Sequence, residues 1–315
     1  MTATPLGRQA DPTGRPSRLS RVRQATDGDG AFYLLIVPPF LILFLLTAVP
    51  LVSLIWTSMQ EWNRASPVPP DFIGLSNFTA LMGDAAFWKA AGLTAYQVSG
   101  TVILQIIFGL GIALLFSRQF RGVGLARALY LVPMMCAPVV VGLMWRVLLQ
   151  TDNGPVNRML AVIGIGPIDF LGDPALAMPS VIGTDLWLST PFVVIILLAA
   201  LQAIPQEISE AARVDGVSPW QMLRWIILPI IKPMIILATL FRTMDAIKRF
   251  DTIYVMTGGG PGNSTETLDL HAFAYAFTYL DVGKGAAIAV VMLALIIAIS
   301  SLLLRAIDPT TGSAK

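Results

Sequence analysis

Repeated apolar runs, several at or beyond the ~20 residues with which an α-helix crosses a bilayer, constrain this chain more than any other feature. They recur roughly over Tyr33 to Thr57, Ala90 to Ser117, Ala128 to Leu149, Met178 to Leu201, Trp225 to about Phe241 or beyond, and Gly285 to Leu304. A soluble core does not need six such segments; a polytopic membrane bundle does. Composition agrees: of 315 residues 55% are hydrophobic and 13% charged, where a soluble domain carries about 25% charged side chains. The expected fold class is an all-α integral membrane protein with six transmembrane helices.

The same composition narrows the chemistry. With 21 basic and 19 acidic residues the net charge is +2, which leaves no basic excess for nucleic acid. One cysteine, Cys136, and one histidine, His271, can form neither an intramolecular disulfide nor a Cys/His metal cluster. Cys136 falls inside an apolar run and reads as a small buried hydrophobe.

Residues 1–31 are rich in Pro, Gly, Ser and Thr, show no apolar period, and carry five arginines, so they read as a disordered basic tail. The apolar run from Ala31 to Met59 is far longer than a 7–15 residue signal core, so the first span should be retained. With the N-terminus inside, the inner segments hold Arg8, Arg15, Arg18, Arg21, Arg23, Arg118, Arg121, Arg127, Arg213, Arg224, Arg305 and Lys315. The outer ones hold Arg64, Lys89, Arg158, Lys248, Arg249 and Lys284. Twelve against six favours an N-in, C-in topology, with residues 32–305 as the membrane domain and 306–315 as a cytoplasmic tail. Prolines 38, 39, 50, 133, 138, 191, 229 and 233 fall within the spans, which a membrane bundle tolerates where neighbours satisfy the freed carbonyls.

The inner loop from Gln202 to Pro233 carries the most specific pattern. Pro205 suits a first helical position, Glu207 and Glu210 complement the dipole of the first turn, and Gly216 suits the left-handed conformation that closes a helix near Val214. Ser218-Pro219-Trp220-Gln221 then reads as N-cap, first residue and capping-box partner of a following helix. Ile208, Ala211, Ala212 and Val214 alternate with Glu207, Glu210, Arg213 and Asp215, the composition of a short helix that docks into a groove of another protein. A helix lying on the membrane surface would show the same pattern.

Glu210-Ala211-Ala212, three residues, Gly216, nine residues, then Ile226 and Leu228-Pro229, resembles the EAA loop of the membrane subunits of binding-protein-dependent ABC importers. Further stretches resemble the maltose-type carbohydrate permeases of that family: Phe72 to Phe78, Leu129 to Pro133, Thr190 to Phe192, Arg242 to Ala246, Phe250 to Gly262 and Thr265 to Leu268. Leu93-Thr94 departs from the Asn-Thr pair many relatives have there. The resemblance implies a type I ABC importer permease fold in a bacterial inner (plasma) membrane, and half of a pathway shared with a second permease. It also implies an ABC ATPase dimer beneath, an extracytoplasmic solute-binding protein above, and a carbohydrate as solute. Glu210, Ala211, Ala212, Asp215 and Gly216 are then the ATPase-coupling residues. This chain is expected to be a transport subunit and not an enzyme, to bind no cofactor or metal itself, and to leave ATP and Mg to the ATPase; it contains no G-x-x-x-x-G-K-[ST] loop. The glycine run Gly258 to Gly262 reads as an outer turn where the binding protein docks.

Charge at membrane depth costs roughly 2.5–3.5 kcal/mol per residue on insertion scales and so marks function. Arg242, Asp245 and Arg249 have one-face helical spacing, with Lys248 and Asp251 beside them. Either they line a polar path, carboxylates accepting from solute hydroxyls and Arg donating to them, or they pair with one another in a rigid bundle. Asp185 and Trp187, with Trp145, Arg146 and Gln150, form a second set suited to a sugar's apolar face and hydroxyls, although both tryptophans equally suit an interfacial belt. Gln97 and Gln105 face either the pathway or a neighbouring helix. A six-span secondary transporter or a membrane-embedded enzyme is the alternative; neither accounts for the inner loop.

Overall fold

The computed structural model describes residues 29–307. Of the expected basic tail, residues 1–28 lie outside the described residues, as does the C-terminal tail beyond Ile307. The chain divides into two compact units, residues 1–53 and 54–315. The first holds most of α1 (Asp29–Ser58), a helix of 30 residues that contains Pro38, Pro39 and Pro50.

In the second unit, the end of α1 leads into two short antiparallel strands, β1 (Gln60–Glu61) and β2 (Asp71–Phe72), paired Gln60 with Phe72 and Glu61 with Asp71. Asn77, at the start of α2 (Ser76–Met82), is buried and donates to the carbonyls of Ser58 and Gln60 at 2.9 Å each. One buried amide thereby ties the end of α1 to β1.

α3 (Ala85–Phe116) starts at Asp84, whose carboxylate accepts from the Ala86 N–H at 2.8 Å. α7 (Pro174–Gln202) starts in the same way at Asp173, with Pro174 in the first position where its missing N–H costs nothing. These two spans make the largest contact in the bundle. They approach closely at Gly109, where an added Cβ would lie 2.6 Å from Val193 Cγ1.

The third span is broken, against the expectation of one helix from Ala128 to Leu149. α4 (Val123–Leu131) tightens into a 3₁₀ turn over Val132–Met135, and α5 (Pro138–Leu148) leaves at 97°. Pro138 disfavours the helical conformation for the residue before it, and both Cys136 (ψ 145°) and Ala137 (ψ 135°) are extended. α6 (Pro155–Val162) follows.

The fifth span is longer than expected. After α8 (Gln206–Val214), one apolar helix runs from Pro219 to Ala246, entered by α9 (Pro219–Gln221), widened to a π-helix over Met222–Ile227, and continued as α10 (Leu228–Ala246). The wide turns stand just before Pro229, which has no N–H to give. α11 (Phe250–Met256) and α12 (Leu268–Phe273) precede the last span, α13 (Val282–Ile307). Among the described residues five helices are long and apolar enough to cross a membrane, or six when the bent third span counts as one.

Along α3, α7 and α10 the buried apolar residues fall into separate clusters. One holds Phe87, Ala90, Ile247 and Ile288, and another Ala113, Val193, Leu197 and Ala238. Between them lie buried polar residues, Gln97, Thr101 and Gln105 on α3, Asp185 and Ser189 on α7, and Arg242 and Thr243 on α10.

Candidate functional site

Part of that polar layer is a single network. Asp185, near the middle of α7 and fully buried, faces Arg242 of α10 (Nη2 to Oδ2, 3.2 Å) and Arg249 at the start of α11 (Nη2 to Oδ1, 3.1 Å). One turn further along α7, Ser189 donates to Asp185 Oδ1 at 2.9 Å and accepts from Arg249 at 3.3 Å. Gln105 of α3 accepts from Arg242 Nε at 2.7 Å and donates to the Asp185 carbonyl at 3.0 Å. Asp245 closes the set, its Oδ2 accepting from both Arg242 and Arg249. Two arginines and two aspartates balance, which is the condition under which charge survives burial.

Asp245 differs from the rest. Its side chain is 52% exposed where those of Asp185, Arg242 and Arg249 are 0%, 4% and 8%. It looks into a cleft of about 390 Å³ whose other walls include Leu188, Phe192 and Phe241 and, from the broken third span, Met134, Cys136 and Pro138. Phe192 and Phe241 meet edge to face at 6.2 Å. Extended backbone at membrane depth is tolerated where it lines a cavity, and the break at Cys136 does so. Cys136 is therefore exposed and not the buried hydrophobe expected, because the break turns it out of the helix.

Several expectations are corrected by this arrangement. Asp185 belongs with Arg242 and not with Trp187, since residues 185 and 187 point to different faces of α7. Trp187 is exposed and packs on Trp145 at 6.0 Å, and Arg146 is exposed and donates to the Val255 carbonyl at 3.1 Å. Lys248 and Asp251 are exposed and outside the network. Arg249, counted above with the outer loop, is buried. Ser189 joins the network beyond the residues expected from sequence, its place four residues after Asp185 putting both on one face of α7. Gln105 is an inter-helix bridge.

The inner loop forms the second site. α8 ends in a complete Schellman motif: the N–H of Gly216 bonds the Arg213 carbonyl and that of Val217 bonds Ala212, with Gly216 at φ +73°. Two residues later the Ser218 hydroxyl accepts from the Gln221 N–H at 3.3 Å while the Gln221 side chain accepts from the Ser218 N–H at 2.9 Å, the expected capping box. Pro205 is the N-cap and not the first helical residue. Glu210, Ala211, Asp215 and Gly216 are exposed. Ala212 is buried at 5%, so of the alanine pair only Ala211 is free to meet another protein. No ion pair forms to Glu207, Glu210, Arg213 or Asp215 among the described residues.

The glycine run is an ordered turn. Gly258, Gly259 and Gly262 have positive φ, and the buried Thr265 hydroxyl donates to the Gly260 carbonyl at 2.8 Å. Thr94 answers the departure noted beside Leu93: it is buried and accepts from the Leu268 N–H at 2.8 Å, capping α12.

Residues 105–313 match the model of one protein family, described as the binding-protein-dependent transport system inner membrane component. This chain belongs to that family. Relatives agree: the permease is 35% identical over 236 residues to the trehalose/maltose transport system permease protein MalF of Thermococcus litoralis, covering 75% of this chain and 80% of the relative. It is also 35% identical, over 75% of its length and 76% of theirs, to the sulfoquinovosyl glycerol transport system permease protein SmoG of Agrobacterium fabrum. A chain of a bacterial ABC transporter involved in the import of the acidic polysaccharide alginate superposes with a TM-score of 0.78 at 20% identity, over 94% of this permease and all of that chain. That likeness confirms the type I permease fold. The protein is a multi-pass inner membrane transport subunit and not an enzyme.

Proposed function

We propose that this permease forms half of the pathway of an ATP-driven carbohydrate importer and is coupled to a separate ABC ATPase through α8. The observation that carries the coupling is the state of that helix. Its charges Glu207, Glu210 and Arg213 and the small Ala211 stand exposed and without an ion pair among the described residues, while its far end is locked by hydrogen bonds into the start of the fifth span. An isolated chain gains nothing from such a helix; a partner with a groove does. Glu210 is the charged anchor, Ala211 the point of close approach, Asp215 a flanking charge, and Gly216 sets the angle.

Motion then has a route. A push on α8 passes through the Gly216 turn and the Ser218 cap into α9 and α10, and α10 carries Arg242 and Asp245 at the cleft. ATP and Mg bind the ATPase dimer. A second permease supplies the opposite wall, and an extracytoplasmic binding protein delivers the solute near the Gly258–Gly262 turn. The carbohydrate assignment is supported by relatives named for trehalose/maltose and sulfoquinovosyl glycerol, and the binding protein by a solved alginate transporter described in complex with a pentasaccharide-bound periplasmic protein. Phe192 and Phe241 offer apolar faces and Asp245 an acceptor, the pairing that sugars use.

The test is purification of the tagged permease from its native membrane in mild detergent, as wild type and with Glu210→Ala and Gly216→Pro combined. Proline cannot adopt a φ of +73°. Wild type should bring a second permease and an ATPase; the double variant should keep the permease and lose the ATPase. Retention of the ATPase by the variant, or solute uptake into liposomes without ATP, overturns the reading.

A further inference from the structure

The charges around the cleft are arranged unequally. Arg242 and Arg249 share two carboxylates, yet only one of these, Asp185, is held out of reach inside the bundle. The other, Asp245, is the half-exposed member, and it places a single oxygen, Oδ2, between the two guanidinium groups. A carboxylate so placed occupies the seat that a carboxylate or sulfonate of an acidic solute would take, because two convergent guanidinium groups are a general receptor for such anions. Its Oδ1 accepts no side-chain hydrogen bond from the network and is left to accept from a hydroxyl in the cleft.

We infer that Asp245 is the charge filter of this pathway. It fills the Arg242–Arg249 seat from within, brings the cleft to electrical neutrality, and so favours uncharged carbohydrates over acidic ones. Neutralising Asp245 leaves one surplus guanidinium charge beside the cleft and turns the same seat into an anion site. The inference rests on the reading of this cleft as the solute path, and it adds which residue sets the permitted charge.

Cys136, the only cysteine of the chain, lines the same cleft and reports its potential directly. The importer complex in lipid nanodiscs would be treated, with and without ATP, with three methanethiosulfonates: a small neutral methyl reagent, and two charged reagents of comparable size, anionic sulfonatoethyl and cationic trimethylammonioethyl. Modification at Cys136 would be followed by mass spectrometry of its peptide. The neutral reagent measures access, and the anion-to-cation rate ratio measures the charge a small solute meets. In wild type that ratio, corrected for a free thiol in solution, should lie within a few-fold of one. Asp245→Asn should raise it on the order of tenfold, the effect of removing one charge several ångströms from the thiol in a partly solvated cleft. Asp245→Glu, which keeps the charge, should return the wild-type ratio; a merely structural role for Asp245 would instead change the rates of all three reagents together in Asp245→Asn and leave the ratio unmoved.

A ratio for Asp245→Asn within twofold of wild type overturns the filter and leaves the carbohydrate-path reading standing. If the neutral reagent fails to modify Cys136 in wild type both with and without ATP, the cleft is closed to solute and both fall. Should Asp245→Asn not assemble, Asp245→Ser with the same three reagents carries the identical expectation.

Discussion

The polar layer at membrane depth and the loop helix α8 are both dense in charge, and they treat it in opposite ways. In the layer, Gln105, Asp185, Ser189, Arg242 and Arg249 hydrogen-bond and ion-pair with one another, and only Asp245 turns outward. In α8, Glu207, Glu210 and Arg213 make no ion pair at all among the described residues. The layer is built to be stable within one chain, because unpaired charge there has no water to fall back on. On the proposed coupling, the loop helix is left unpaired for a partner protein to complete. Charge density therefore does not identify function; within each region what separates a residue is a charge left facing outward, Asp245 in the layer and Glu210 in the loop helix.

Substitutions that unpair the layer should break this contrast most severely. Asp185→Ala leaves two buried guanidinium groups short of a carboxylate and should cost about 3–5 kcal/mol, read as loss of folded permease or a large fall in thermal midpoint of the purified complex. Glu210→Ala alone should change that midpoint little, within about 0.5 kcal/mol, while weakening retention of the ATPase. If both substitutions lower stability equally, the distinction between a structural layer and a coupling surface fails.

Close packing supplies an intermediate effect. Gly109 sits where an added Cβ would lie 2.6 Å from Val193 Cγ1 and 3.0 Å from its Cβ. Valine is stiff at χ1 and lies in the core, so Gly109→Ala should push α3 from α7 and cost about 1–3 kcal/mol. Because Gln105 stands one turn from Gly109, the same substitution should strain its bond to Arg242, and the cleft reagents at Cys136 should report a changed potential as well as a changed stability. Ser218→Ala removes only the hydroxyl half of the capping box and should cost about 1 kcal/mol. It should also lower ATP-coupled transport more than its stability loss explains, since the cap joins α8 to the fifth span.

The helix locations and the loop were legible because they rest on local chemistry. Apolar run length placed the spans, and Gly216, Ser218 and Gln221 fixed the turn between α8 and α9 through dihedral and capping preferences that act within a few residues. The break at Cys136 was visible in part: Pro133 and Pro138 were seen, but a 97° bend requires two consecutive extended residues, and a proline can also be absorbed as a mild kink, as Pro191 is in α7. The grouping of Asp185 with Arg242, rather than with Trp187, was not legible. It depends on the rotation of α7 against α10, and α7 is apolar nearly all round, so its sequence names no buried face. Ala212 illustrates the same limit at smaller scale, since adjacent alanines on a helix lie about 100° apart and only packing shows which one faces inward.

The smallest effect expected lies outside the spans, at the outer turn, and it separates burial from pairing. Asp269 of α12 is a carboxylate raised above its ordinary value by burial, while hydrogen bonds from the Thr267 hydroxyl and the Leu270 N–H hold it down. Burial wins because no guanidinium or ammonium group pairs with it among the described residues, and Asp251 adds a like charge nearby. A carboxyl whose folded pKa is raised binds its proton more tightly in the folded state. Stability is then highest below the unfolded value near 3.8, falls as pH rises toward the raised folded value, and stays lower above it. Asp269→Asn keeps an acceptor for both donors and removes the ionisation. It should raise the thermal midpoint at pH 7 and leave it unchanged at a pH below 3.8. A gain of equal size at both pH values would mean that packing, and not the buried charge, limits this corner of the permease.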